Sequence, residues 1–314
     1  MQKDLQLKTN KMKNIESVER LTSSKKRFIL AFGVPTFMLY FFFCIYPIFS
    51  SIFTSFHSWS GFSDMEYIGF ENYLNILKDP VFVKSAINDF TIVFFKEIII
   101  ISLVMLFAIS LTKLRLSRAE TAFYRFVYYF PNILSVIVIA NVWAFFFNPR
   151  IGVMNEIMKL LRLEFLIPEN GWLVEHTLPV IIFIASWCGI GLYMIVLISA
   201  INNVPAEIYE SSEIDGAGQW SQLVNITLPS IWSQVRFMVV SILYGSLASN
   251  MGLILPLTNG GPDNASIVMG LYVYQKGINL YRVGFANAAA VCLMIISIVI
   301  SLSSNYILAR REEK

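Results

Sequence analysis

The sequence predicts an all-α integral membrane protein with about six transmembrane helices. Hydrophobic residues make up 56% of the 314 residues and charged residues only 14%, against roughly 25% charged residues in ordinary soluble domains. Mostly apolar runs of about 20 residues, long enough to cross ~30 Å of hydrocarbon, recur along the chain. We predict spans at 28–56, 88–112, 123–147, 177–200, 235–257 and 284–308.

The basic residues predict the orientation. With the N-terminus inside, 16 of the 24 Lys and Arg residues fall on the cytoplasmic side, as the positive-inside rule favours. Both termini and segment 204–229 are then cytoplasmic. The apolar run after residue 27 is too long for the core of a secretory signal, so we expect it to be retained. Residues 1–27 are accordingly predicted to be a basic cytoplasmic tail.

Motifs for catalysis or nucleotide binding are absent from the sequence. No stretch matches the phosphate-binding loop GxxxxGK[ST], the zinc motif HExxH or the nucleophile motif GxSxG. The three cysteines, Cys44, Cys188 and Cys292, lie in apolar runs without CxxC spacing and are expected to be buried hydrophobic residues. We therefore expect no catalytic residue, no metal site and no cofactor in this chain.

Segment 204–229 is polar although it lies between two apolar runs. It holds four acids and no basic residue, a charge density that hydrocarbon does not tolerate unpaired. Pro205 suits the first turn of a helix, and Gly216 and Gly218 provide positive-φ freedom to end that helix. A second helix is predicted from about Gln219, and Pro229 is expected to break or kink the chain before the next span.

The same segment resembles the cytoplasmic signature of permease subunits in binding-protein-dependent ABC importers, E-A-A, three residues, G, nine residues, I-x-L-P. Here it stands as Glu210-Ser211-Ser212, Gly216 and Ile226-Thr227-Leu228-Pro229, with Ser-Ser for Ala-Ala. In that family the segment is a coupling helix in a groove of the ATP-hydrolysing subunit. The residues that the resemblance assigns to coupling are Glu207, Glu210, Ser211, Ser212, Asp215, Gly216, Ala217 and Gly218.

Other stretches resemble the carbohydrate-uptake branch of the family. They include Arg125–Pro131, Gly152–Asn155 and Thr258–Pro262. The resemblance covers residues 28–310 and implies one transmembrane domain, multi-pass in the bacterial plasma membrane. It also implies four kinds of partner: a second related permease in a heterodimer, two ATP-binding subunits, an extracytoplasmic solute-binding protein and the lipid bilayer. Nucleic acid is not implied.

Polar residues within the fourth and fifth spans are candidates for the substrate pathway, because sugars bind hydroxyl, amide and aromatic groups. Such residues also tie membrane helices together. The candidates are Ser186, Trp187, Gly189, Tyr193, Tyr244, Ser246, Ser249 and Asn250. Lys96 and Glu97 fall inside the second span, where a functional role, a structural partner on a neighbouring helix or snorkelling by Lys96 would explain a charge.

Three alternatives remain open at this level. Import of glycerol 3-phosphate or another polyol would use a similar scaffold. An ion-coupled secondary transporter would ordinarily hold ionisable groups at mid-membrane, and outside Lys96 and Glu97 the predicted spans hold few. A membrane scaffold without transport would explain an exposed docking segment but not polar residues on successive spans.

Overall fold

The computed structural model describes residues 23–113 and 117–310. The chain divides into two compact units, of which the first ends at Phe53 and the second begins at Thr54. In the first unit, helix α1 (Ser23–Tyr40) continues through a π-helical turn, Phe41–Ile45, into α2 (Tyr46–Thr54). Cys44 is exposed there, so the expectation that it is buried was wrong.

The second unit is almost entirely helical. Its only strands within the described residues are a two-residue antiparallel pair in which His57 faces Tyr67. In chain order its elements are β1 (His57–Ser58), β2 (Glu66–Tyr67), α3 (Glu71–Lys78), α4 (Pro80–Lys113), α5 (Arg118–Ile133), α6 (Val136–Phe146), α7 (Val153–Leu160), a 3-10 turn (Glu164–Leu166), α8 (Trp172–Glu175), α9 (Thr177–Asn202), α10 (Ala206–Ile214), α11 (Gln219–Gln222), a π turn (Leu223–Thr227), α12 (Leu228–Ser230), α13 (Trp232–Leu257), α14 (Met269–Tyr274), a π turn (Gln275–Asn279) and α15 (Val283–Ala309).

Four straight helices among the described residues are long and apolar enough to cross a membrane. Two bent pairs also pass that test, one with a 97° bend and one with a 67° bend. Counting each bent pair as one span gives the predicted six. The spans are the first (Arg27–Thr54), second (Pro80–Thr112), third (Ala119–Ile133 with Val136–Phe146), fourth (Thr177–Asn202), fifth (Gln219–Ser230 with Trp232–Leu247) and sixth (Val283–Ala309).

Two predicted spans differ in detail from the observed helices. The second begins at Pro80 rather than at 88; in the added turns Lys84 donates to the Asp263 carbonyl over 2.8 Å, in the loop that precedes α14. The third is sharply bent, since α5 ends at Ile133 and α6 begins at Val136. The bend follows Pro131 and Asn132 in the sequence.

The fourth span is central to the packing of the second unit. Helix α9 packs against α4 and α5, and a Cβ on Gly191 would lie 2.1 Å from the Tyr128 carbonyl oxygen. The helices therefore approach closely enough that only glycine fits. One apolar cluster surrounds Ile181 and Ile254, and a second, towards segment 204–229, surrounds Met194 and Met238.

Candidate functional site

Segment 204–229 forms a helix, a glycine turn and a second helix, as the sequence predicts. Helix α10 spans Ala206–Ile214, and Pro205 precedes it with φ −58° and ψ 133°. Pro205 is therefore the N-cap residue and not the first helical residue. Its missing N–H still costs nothing there, and Glu207 lies in the first turn, where the helix dipole favours an acid.

Helix α10 ends at a left-handed glycine. The N–H of Ala217 donates to the Ser212 carbonyl over 2.9 Å, and the N–H of Gly216 donates to the Glu213 carbonyl over 3.0 Å. This pair of bonds is the Schellman arrangement, and it requires the positive φ of +79° found at Gly216. Gly218 has φ −72° and ψ 166°, so the expectation of positive φ at that glycine was wrong.

Polar side chains hold the two helices of the segment together. The Tyr209 hydroxyl lies 2.9 Å from the Thr227 hydroxyl, across the turn. The Gln222 amide donates to the Ser212 hydroxyl over 3.0 Å, and that hydroxyl donates to the Tyr209 carbonyl over 2.7 Å. Ser212 is therefore half-buried within the segment, whereas Ser211 is exposed.

The remaining surface of the segment combines charge with exposed apolar groups. The carboxylate-bearing residues Glu207, Glu210, Glu213 and Asp215 are exposed. Among them stand Ile214, 87% exposed, and Trp220, 76% exposed. Large apolar side chains beside acids, on a helix whose fold is fixed internally, are features of a protein docking surface.

The segment is joined directly to two spans. Helix α9 leads into it, and residues 219–229 of the segment belong to the first limb of the bent fifth span. The 67° bend between Ser230 and Trp232 follows just after the predicted break at Pro229. The Trp232 indole N–H also donates to the Leu308 carbonyl near the end of α15, over 3.2 Å. The segment is therefore continuous in sequence with the fourth and fifth spans, and Trp232, just after the bend, contacts the end of the sixth.

Four of the eight pathway candidates meet at one cavity between the spans. Gly189, Tyr193, Ser246 and Ser249 line a space of about 170 Å³. All four lie near the middle of their helices. Lys96 of the second span lines the same space. No sequence pattern indicated the residues that complete the lining, which are Asn132, Leu192, Ser241, Ile242 and Gly245.

The other four candidates lie elsewhere. Ser186 is buried, and its hydroxyl has no hydrogen-bond partner among the described residues. Trp187 packs edge-on against Trp143, with ring centroids 5.5 Å apart. Tyr244 is 62% exposed, and the Asn250 amide donates to Asp89 over 2.8 Å.

Two acids anchor the α14 region at the end of the spans opposite segment 204–229. Asp89 lies in the second span, and Asp79 immediately precedes it. Asp89 accepts the Met269 backbone N–H over 2.7 Å at the start of α14. Asp79 accepts the Tyr272 hydroxyl over 2.7 Å and the Lys276 ammonium over 3.2 Å. These pairings join residues more than 170 positions apart, so no local pattern could have predicted them.

The fold is that of a membrane-embedded helical subunit with an exposed polar segment between two of its spans. The chain belongs to the family of binding-protein-dependent transport system inner membrane components, whose family model matches residues 104–314. It is therefore an inner membrane protein. Members of this family are permease subunits and not enzymes themselves.

Individual relatives cover most of the chain. It is 31% identical to the probable ABC transporter permease protein YurN of Bacillus subtilis, over 86% of this chain and 92% of that protein. It is 29% identical to the diacetylchitobiose uptake system permease protein NgcF of Streptomyces coelicolor, over 89% and 82%.

A solved structure shows the same fold. A chain of a bacterial alginate ABC transporter, in complex with its alginate pentasaccharide-bound periplasmic protein, superposes with a TM-score of 0.80 over 94% of this chain and 99% of that chain. The two sequences are 24% identical, so this likeness concerns the fold alone.

Proposed function

We propose that the chain is the permease subunit of an ATP-driven importer of sugars or oligosaccharides, coupled to a separate ATPase through segment 204–229. The observation that carries this proposal is the exposed helix α10, held by its own hydrogen bonds and continuous with the fourth and fifth spans. A rigid element of this kind transmits a displacement from a partner into the membrane.

In this proposal a partner subunit that hydrolyses ATP supplies the energy for transport. The sequence has no phosphate-binding loop, so two ATP-binding subunits supply the hydrolysis. Helix α10 docks in a groove of one of them, in a helix-in-groove contact. Ile214 and Trp220 provide apolar contact area, and Glu210 provides the charged anchor.

The proposed cargo follows from the cavity and from the relatives. Hydroxyl groups, an amide and an aromatic ring surround the space at the middle of the spans, where transporters place their substrate sites. The printed names of relatives refer to diacetylchitobiose, to multiple sugars and to arabinooligosaccharides. A second permease subunit forms the other half of the pathway, and a solute-binding protein delivers the sugar.

The orientation belongs to the same proposal. Docking to an ATPase requires segment 204–229 in the cytoplasm, and the basic residues favour that arrangement. Both termini are then cytoplasmic, residues 1–27 form the cytoplasmic tail, and residues 28–310 form the transmembrane domain. The α14 region then faces the solute-binding protein.

Proteoliposomes test the proposal. We expect sugar uptake only when the chain is reconstituted with its partner subunits and the solute-binding protein. ATP must be present on the side of the membrane where the ATP-binding subunits lie. Uptake driven by a proton or sodium gradient without ATP would indicate a secondary transporter instead. Absence of transport under every condition, with intact assembly, would support a scaffold.

A further inference from the structure

Lys96 stands at the middle of the second span. The span runs from Pro80 to Thr112, which leaves sixteen residues on either side of Lys96, or about 24 Å of helix at ~1.5 Å per residue. Half of the hydrocarbon thickness is about 15 Å. A lysine side chain does not reach the headgroups from this depth, so its ammonium group needs a partner within the membrane.

Among the described residues no carboxylate pairs with Lys96; the ionisable group that interacts with it is the Cys188 thiol of α9, which carries no charge while protonated. No hydrogen bond or ion pair joins Lys96 to another described residue. Asp89, on the same helix, is already occupied by Asn250 and Met269. Glu97 lines a different, apolar cavity beside α13 and α15. A cation left without a counter-charge at this depth is strongly unfavourable.

The cavity that Lys96 lines has a second unpartnered polar group. Ser246 is fully buried, and its hydroxyl has no hydrogen-bond partner among the described residues, although buried hydroxyls normally have one. Tyr193 and Ser249 line the same space. A Cβ on Gly189 would come within 2.5 Å of Ile100 Cδ1, so a side chain at that point would have to displace the Ile100 side chain.

We propose that Lys96 is the counter-charge for the cargo, and that the cargo is a carbohydrate with an anionic group, either a carboxylate or a phosphate. This inference rests on the proposed function. The ammonium group pairs with the anion while Ser246, Ser249 and Tyr193 bind the sugar hydroxyls. A neutral sugar in the same cavity leaves Lys96 unpaired, and this unpaired charge discriminates against it.

Uptake by the complete complex in proteoliposomes tests this assignment. The probes are galacturonate oligosaccharides, glycerol 3-phosphate and neutral oligosaccharides of matched length. We expect Lys96→Met to lower uptake of the anionic probe at least about tenfold, the loss of one charge-assisted hydrogen bond. Lys96→Arg should retain most of it, because the charge remains. Glu97→Gln is the matched control: it removes a charge at the same depth and should leave the anionic preference unchanged.

The outcomes separate this inference from the proposed function. Galacturonate uptake without glycerol 3-phosphate uptake identifies a carboxylate cargo, and the reverse identifies a phosphate. ATP-dependent uptake of neutral sugars alone, or anionic uptake that Lys96→Met does not reduce, overturns the role of Lys96 and leaves the sugar importer standing. Failure to import any carbohydrate overturns both. If Lys96→Met does not assemble, Lys96→Gln replaces it with the same expectations.

Discussion

The Asp89 carboxylate accepts a hydrogen bond from the Asn250 amide over 2.8 Å, and this contact joins the second and fifth spans across 161 residues of sequence. The other carboxylate oxygen accepts the Met269 N–H over 2.7 Å. Asp89 is fully buried. One side chain therefore fixes two spans and the start of α14, at the end of the spans opposite segment 204–229.

Asp89→Ala is expected to destabilise the protein strongly. It leaves the Asn250 amide and the Met269 N–H as buried donors without acceptors, each at a cost of about 1–3 kcal/mol. The measurement is thermal unfolding of the purified complex in detergent. Ser249→Ala is the control, because the exposed Ser249 hydroxyl bonds only within its own helix, and it should change stability by less than about 0.5 kcal/mol. Equal unfolding temperatures for the two variants would contradict the anchoring role.

Gly216→Ala and Gly218→Ala form a matched pair. Neither added Cβ would meet an atom within 4 Å, so only the backbone conformation differs. Gly216 has φ +79°, and an L-residue pays roughly 1–2 kcal/mol there, whereas Gly218 is extended. We expect proteolysis near residue 216 to be faster in Gly216→Ala and unchanged in Gly218→Ala. The same proteolysis rate in both variants would argue against the Schellman turn.

The interactions of Asp79 are expected to make the stability of the folded protein fall in acid. Burial acts to raise the pKa of Asp79, but hydrogen bonds from Tyr272, the Val81 N–H and Lys276 together hold the pKa below its ordinary value. The ionised Asp79 carboxylate therefore stabilises the folded protein fully above the unfolded pKa of about 3.9. This stabilisation is lost as the pH falls through the lower folded pKa.

Thermal unfolding at several pH values checks this sign. Between about pH 5 and pH 3 we expect the unfolding temperature to fall more in the native protein than in Asp79→Asn, which has no carboxylate to protonate. Identical acid sensitivity in the two proteins would show that the Asp79 cluster does not contribute.

Cysteine labelling tests the orientation. In a background with Cys44, Cys188 and Cys292 changed to alanine, Ser211→Cys exposes a thiol on segment 204–229, and Leu160→Cys exposes one on α7, where Leu160 is 83% exposed. An impermeant thiol reagent added to intact cells should label only Leu160→Cys. Inside-out vesicles should give the opposite result. Labelling of Ser211→Cys in intact cells would contradict the cytoplasmic docking segment.

The sequence predicts the spans and the helical form of segment 204–229 well, because both depend on local properties. Span length follows from apolar composition, and the ends of α10 follow from Pro205 and Gly216, whose backbone preferences are intrinsic. Gly218 was misassigned because a glycine permits positive φ without requiring it. The early start of the second span was missed because Lys84 and Ser85 make residues 80–87 look too polar for a membrane helix until their partners, the Asp263 and Phe82 carbonyls, are known.

The cavity was only half predictable, and the reason is tertiary. Ser246, Ser249 and Asn250 lie within five residues on one helix, but only the first two face the cavity, while Asn250 pairs with Asp89. Lys96 comes from a distant helix and reaches the same space. No periodicity within one span reveals which neighbours the other spans supply.

A double substitution in segment 204–229 tests the central claim most directly, namely that this segment couples transport to an ATPase. In the double variant Glu210→Lys, Gly216→Asp, we expect the chain to insert normally, the ATPase subunit to be lost on purification and ATP-driven uptake to fail with a loaded solute-binding protein. A buried charged contact at an interface is worth a few kcal/mol. Glu213→Lys, the same reversal at a neighbouring exposed site, should retain most activity. Normal ATPase association and substrate-stimulated hydrolysis with full uptake in the double variant would contradict the coupling role.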